Sequence, residues 1–162
     1  MEKVTNGLFN TPLEIGLRLI HIFNATNKAL DLQRLIYYNY LIIHSADIDG
    51  APNSIHPALP NRACEMLVSR KIIKSGLNLL ISKGIIRVVY SNSGIKYKSN
   101  PETSFVNDHF NSKYSEELKM RAKWLIDHFD ILSDSKLSQL MNENIGKWGS
   151  EFTASRLVFE DA

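Results

Sequence analysis

A single cysteine, Cys64, stands in this 162-residue chain. One thiol excludes an internal disulfide. It also excludes a thiolate zinc site, which draws two or more sulfurs from one chain. So sparing a use of cysteine fits a reducing compartment, and a cytoplasmic location is expected. Long apolar runs are missing too. The most apolar stretches, residues 35–43 and 76–89, are too short or too interrupted to span a bilayer, so no membrane partner is expected. Met1-Glu2-Lys3-Val4-Thr5-Asn6-Gly7 holds no long apolar run, and no signal peptide is expected. The glycines are scattered. None builds a phosphate loop or a dinucleotide fingerprint, which argues against a bound nucleotide.

Catalytic patterns are equally thin. No G-x-S-x-G elbow occurs, and His44, Ser45 and Asp47 are sequence neighbours, which seldom converge into a hydrolase triad. Asp47-Ile48-Asp49-Gly50 begins like a calcium loop. Its sixth and twelfth positions are Pro52 and Ala58, where glycine and glutamate are needed, so a turn with solvated acids is expected. His44 and His56 have no second histidine at i, i+4 spacing, and no metal site is expected. Cys64 reads as a buried structural thiol. The chain is therefore expected to be no enzyme and to need no cofactor.

What is present is charge of one sign in one place. Residues 62–98 hold eight Lys/Arg against the single acid Glu65. Residues 101–162 hold seven basic and eleven acidic residues, and residues 12–59 are nearly balanced. Such segregation points to a polyanionic or acidic partner for the middle segment, or to pairing with the acidic C-terminal part of the same chain.

The periodicity is helical on both sides of that segment. Thr11-Pro12-Leu13-Glu14 opens a helix whose expected face is wide, Leu13, Leu17, Ile20 and Phe23 with Ile15, Leu19 and Ile22 beside them. Asp31 caps a second helix that is apolar almost all round, hence central, with Tyr37, Tyr38 and Tyr40 in the core or an interface. Residues 47–60, with Pro52, Pro57 and Pro60, make a loop long enough to be a contact surface. A third helix starts at Asn61, with Gly76 bending or splitting it and Gly84 stopping it. Its apolar positions are Cys64, Leu67, Val68, Ile72, Leu77, Leu80 and Ile81. Residues 85–90 and 95–98 then alternate as two strands around a turn at 91–94. Helix, stop and hairpin in that order predict a winged helix. Helices follow at 103–110, 115–129 and 134–145, the last capped by Ser133 or Asp134. Leu157-Val158-Phe159 in the tail either docks as a strand or hangs free.

The expected fold is thus mainly α with a small β-hairpin. It divides into a lead-in at 1–11, a winged-helix-like domain at 12–100, a C-terminal helical extension at 101–152 and a tail at 153–162. Arg70 and Lys74 share a helical face, and Lys96 and Lys98 share a face of the wing. In a winged helix these supply phosphate contacts. The blander reading is a solvated face.

Several words in the sequence are more specific. Gly16-Leu17-Arg18 with Asn24-Ala25, Leu30-Asp31-Leu32-Gln33-Arg34-Leu35, and His44-Ser45-Ala46-Asp47-Ile48-Asp49-Gly50-Ala51-Pro52 form one set. His56-Pro57, Arg62 with Glu65, Gly76-Leu77-Asn78-Leu79-Leu80 and Gly146-Lys147-Trp148-Gly149-Ser150-Glu151-Phe152 complete it. Together they resemble the middle component of bacterial ABC-ATPase three-component systems, from Leu13 to Phe152. The small third subunit of Lamassu anti-phage and anti-plasmid systems is similar. The resemblance implies an accessory subunit without an active site, bridging an SMC-like ATPase subunit and an effector nuclease subunit, with DNA reached through the complex. Arg62, Arg70, Lys71, Lys74, Lys96 and Lys98 are then the expected contacts to an acidic partner or DNA. Asp47, Asp49, His56, Trp148 and Phe152 are the expected protein contacts. The alternative is a stand-alone winged-helix DNA-binding transcriptional regulator.

Overall fold

The computed structural model describes residues 11–58 and 62–148, the side chains of Arg62 and Ala63 excepted. Most of the lead-in, Phe152, and the tail with Leu157-Val158-Phe159 lie outside the described residues. Among those described, the chain forms six α-helices and one antiparallel hairpin. The order is α1 (Pro12–Ala25), α2 (Leu32–Ile43), α3 (Arg62–Ser82), β1 (Ile86–Ser91), β2 (Gly94–Ser99), α4 (Pro101–His109), α5 (Lys113–Phe129) and α6 (Asp134–Ile145). No helix of the described residues is long and apolar enough to cross a membrane.

Three caps are those the sequence calls for, while Asn61, the expected start of the third helix, lies outside the described residues. Glu14 N–H donates to Thr11 Oγ1 at 3.2 Å, Arg34 N–H to Asp31 Oδ1 at 2.7 Å, and Lys136 N–H to Ser133 Oγ at 3.3 Å. Each satisfies an amide that a first helical turn leaves orphaned. At the far end of α3, Ile85 N–H reaches Leu80 O at 2.9 Å and Gly84 N–H reaches Ile81 O at 3.0 Å. That Schellman stop needs the left-handed φ of +69° that Gly84 adopts. The start of α4 then ties back to it. Asn100 Nδ2 donates to Gly84 O at 2.9 Å and Thr103 Oγ1 to Ile85 O at 2.5 Å.

The hairpin register pairs Arg87 with Lys98, Val89 with Lys96 and Tyr90 with Ile95. One pleat face therefore carries Arg87, Lys96 and Lys98, and the other Ile86, Val88, Tyr90, Ile95 and Tyr97. The free side of β2 gains a partner from the α1–α2 connection. Leu30 and Tyr97 exchange both backbone bonds at 2.8 Å. Two helices with a short extended link, a third helix and a wing are compatible with a winged-helix-like arrangement.

One core joins all of this. α2 is its axis: every residue from Arg34 to Ile43 is buried, as its all-round apolarity foretold. α3 covers one side of α1 and α2, while α5 packs on both from another. Leu118, Ala122, Leu125, Phe129, Leu137 and Met141 join the same apolar cluster as Leu19, Phe23 and Leu41.

The structure corrects several expectations. Gly76 does not split α3, which is one continuous helix. It is instead the point where α3 crosses α1: a Cβ there would stand 2.6 Å from Ile15 Cγ2 and 3.3 Å from Gly16 N. Cys64 is exposed rather than buried. Leu67 and Val68 are 78% and 65% exposed, and Met66 and Ile73 take their place inside. Apolar residues lie on several sides of α3, so their spacing alone does not select a face. The close crossing at Gly76 does. Leu13, 73% exposed, lines an open groove rather than the core. Asp47 is no freely solvated acid; it accepts a hydrogen bond from Tyr40 OH.

Candidate partner-binding surface

The outward side of α3 carries the basic residues. Leu67, Arg70, Lys71 and Lys74 follow the i, i+3, i+4, i+7 spacing of one helical stripe, and all four are exposed. Cys64 and Val68 flank them. Among the described residues, no ion pair involves Arg70, Lys71, Lys74, Lys83, Lys96 or Lys98. The described acids of the C-terminal helices thus leave the basic segment un-neutralised. They pair locally, as in Lys119–Glu116 and Lys123–Asp127, or with the start of the chain. Arg87 is used structurally, donating to Ser99 O and Asn100 Oδ1 at 2.9 Å each. The side chain of Arg62 lies outside the described atoms.

A trough runs along the seam between α2 and α6. At one end Lys28, Lys96, Asp31 and Asp130 line a groove of about 320 Å³. Asp31, Arg34 and Asp134 continue it past Tyr37. It opens at the other end into a groove of about 320 Å³ floored by Ile36, Met66, Leu67 and Ile145, with Arg70 at its rim. The structure thus places Lys96 and Arg70 at opposite ends of one seam. A separate apolar groove of about 600 Å³ lies between α1, the end of α3, α4 and α5, lined by Leu13, Leu17, Leu79, Val106 and Phe110.

The residues expected to make protein contacts are placed more deeply than their loop position implied. His56 is half-buried, with Nε2 3.2 Å from Tyr114 OH. Trp148 stacks on Tyr40, ring centroids 5.5 Å apart. Asp49 is exposed. The loop of residues 47–58 is fastened along its length. Ser45 Oγ donates to Pro52 O at 2.8 Å, Arg121 Nε to Asn53 O at 2.9 Å, and the amides of Ile55 and His56 to Ile43 O at 3.0 Å. Ser45 and Asp47 therefore have other partners and do not assemble with His44.

Sequence reasoning missed two buried polar clusters. In the first, His44 Nε2 lies 3.1 Å from Glu65 Oε1, fixing the first turn of α3 to the end of α2. The His44 and His56 rings meet edge-on at 6.3 Å, and Arg18, 1% exposed, lies in the same electrostatic neighbourhood. Burial lowers the pKa of Arg18. The His44 side chain is 3% exposed and that of Glu65 26%. Arg18 inside an apolar helix was the one signal available. In the second cluster, Arg34 donates to Asp134 Oδ1 at 2.8 Å, Tyr38 OH at 2.9 Å and Leu132 O at 2.6 Å. Tyr38 OH donates onward to Asp130 Oδ1 at 3.2 Å, and Thr26 Oγ1 donates to Asp130 Oδ2 at 2.7 Å. Burial pushes the Tyr38 phenol well above its usual range, so it stays protonated as that chain of bonds requires.

Two histidines make the fold acid-sensitive. Burial, with Arg18 and His44 nearby, pushes His56 down to about 4 from the ordinary 6.5. Burial likewise lowers His21, whose Nδ1 is 2.7 Å from Asn107 Oδ1. The unfolded chain then binds more protons than the folded one between about pH 4 and 6.5, so stability is lost as pH falls through that window. Thermal midpoints taken across it should fall less for His56→Gln than for the unaltered chain. Parallel curves would remove His56 from this account.

Fold and surface define a small helix-and-hairpin chain whose third helix carries Arg70, Lys71 and Lys74 without an ion pair among the described residues. Residues 8–151 match the family model described as ABC-three component (ABC-3C) system Middle Component 2. The chain belongs to that family. It is a component of a multi-component ABC system and so has partner subunits. Neither a curated protein nor a solved structure matches it.

Proposed function

We propose that this chain is the non-catalytic accessory subunit of a bacterial defence complex, cytoplasmic and close to the small third subunit of Lamassu systems. It bridges an SMC-like ABC ATPase and an effector nuclease that acts against phage or plasmid DNA. Family membership supports the accessory role. The observation that carries the choice of surface is on α3, where Leu67 and Val68 are 78% and 65% exposed beside Arg70, Lys71 and Lys74. In a winged helix used on DNA, α3 would face phosphates and base edges, which are polar. Exposed leucine and valine are poor ligands for them. An apolar centre with a charged rim is what a protein interface uses.

Co-purification of the tagged chain with its operon neighbours tests this. The ATPase subunit should be recovered with the unaltered chain, and Leu67→Asp with Val68→Asp should reduce its recovery at least tenfold, the effect of about 1.4 kcal/mol at an interface centre. Recovery of a lone monomer would sink the proposal. The regulator reading draws on the same unpaired cations. It requires the isolated chain to bind duplex DNA with an affinity that falls steeply with salt and is lost in Arg70→Glu with Lys74→Glu.

A further inference from the structure

We propose that the α3 end of the seam trough is the docking site of a segment of this same chain, Leu157-Val158-Phe159-Glu160-Asp161. The proposal does not rest on the family role. Three observations meet at one place. The floor, made by Ile36, Met66, Leu67 and Ile145, is apolar, and Leu67 leaves 78% of its surface open. The rim and adjoining stripe hold Arg70, Lys71 and Lys74 without ion pairs among the described residues. The sequence beyond Trp148 contains an apolar trio followed at once by two acids, groups complementary to that floor and rim.

Reach is no obstacle. The chain leaves α6 at Ile145, itself part of the floor, and Trp148 is held against Tyr40. The nine steps from Trp148 to Leu157 span up to about 30 Å when extended. That exceeds the length of the twelve-residue α6, about 18 Å. A tether this short gives an effective concentration of the order of millimolar, so weak contacts suffice to keep the site filled. Three apolar side chains and two exposed ion pairs are interactions of that weak class. A partner that uses the α3 stripe must first displace the segment, and it must offer apolar and acidic groups in its place.

Photo-cross-linking in the full chain tests the assignment. With p-benzoylphenylalanine in place of Phe159, irradiation should yield an intrachain cross-link to residues 33–37, 64–74 or 142–145. Lys71→Glu with Lys74→Glu should lower its yield about fivefold, the combined effect of two exposed ion pairs. Adding Glu160→Lys with Asp161→Lys should restore it. Both basic positions are exposed, so an unchanged circular dichroism spectrum and thermal midpoint will show that the fold is intact. Cross-links elsewhere, between chains only, or not at all would overturn the proposal. So would a yield indifferent to the charge swap. The co-purification result is separate and can fail or succeed without affecting this one.

Discussion

Arg34→Met is expected to lower the unfolding free energy by about 3–5 kcal/mol, the range for removing one partner of a buried charge pair. The side chain of Arg34 is 8% exposed and joins three segments. It reaches Tyr38 on its own helix, the carbonyls of Phe129 and Leu132 in the α5–α6 turn, and Asp134 at the start of α6. Methionine keeps much of the volume and satisfies none of these groups. Two carbonyls lose a donor, and Asp130 keeps Thr26, Tyr38 and Lys28 but loses the guanidinium beside it. The contribution of Asp134 is small by comparison, because its side chain is 60% exposed and solvent screens the pair. Asp134→Ala should therefore cost less than about 1 kcal/mol. Urea denaturation of both variants decides the matter. A cost for Arg34→Met no larger than that for Asp134→Ala would mean that the network does not fasten the C-terminal helices.

The second large effect is at Gly76. Leucine there is expected to cost about 3 kcal/mol or more, at the upper end for overpacking a core. Already the first carbon of any side chain would stand 2.6 Å from Ile15 Cγ2. Ile15 is 1% exposed and β-branched, so it has little freedom to turn away. The next neighbours are Ile15 Cβ at 3.2 Å and the backbone nitrogen of Gly16 at 3.3 Å, which move only if the helix moves. A double-mutant cycle identifies the cause. Ile15→Ala alone should cost about 2–5 kcal/mol through the cavity it leaves. Gly76→Ala added to it should then cost clearly less than it does in the unaltered chain, because the 2.6 Å contact with Cγ2 is gone and only the contacts at 3.2 and 3.3 Å remain. Simple additivity of the two substitutions would refute the close-crossing account.

These two positions show where the sequence could be read and where it could not. Thr11, Asp31 and Ser133 announce helix starts, because capping is decided within four residues. The hairpin and the central α2 are equally local or periodic signals. Gly76 announces only that something special happens. A bend and a close crossing use the same residue, and the choice depends on a helix sixty residues earlier in the chain. Arg34 reads as an ordinary helix former, since its partners lie about a hundred residues away and share no pattern with it. The cations of the α3 stripe were visible from composition. That the described acids leave them unpaired was not, because segregation along the chain does not fix proximity in space. The buried face of α3 was misread at Leu67 and Val68 because apolar residues lie on more than one side of that helix.

The axial position of α2 has a consequence for how the protein is made. Its apolar circumference is covered partly by α3 and partly by α5 and α6, and those last helices are synthesised some eighty residues later. A nascent chain grown only to the hairpin therefore presents Leu35, Tyr38 and Leu41 with part of their cover still inside the ribosome. The junction between β2 and α4 near residue 100 is therefore not a point at which synthesis can pause safely. Until residues 118–141 emerge, the half-built core depends on the speed of elongation or on a chaperone to keep it from neighbouring chains.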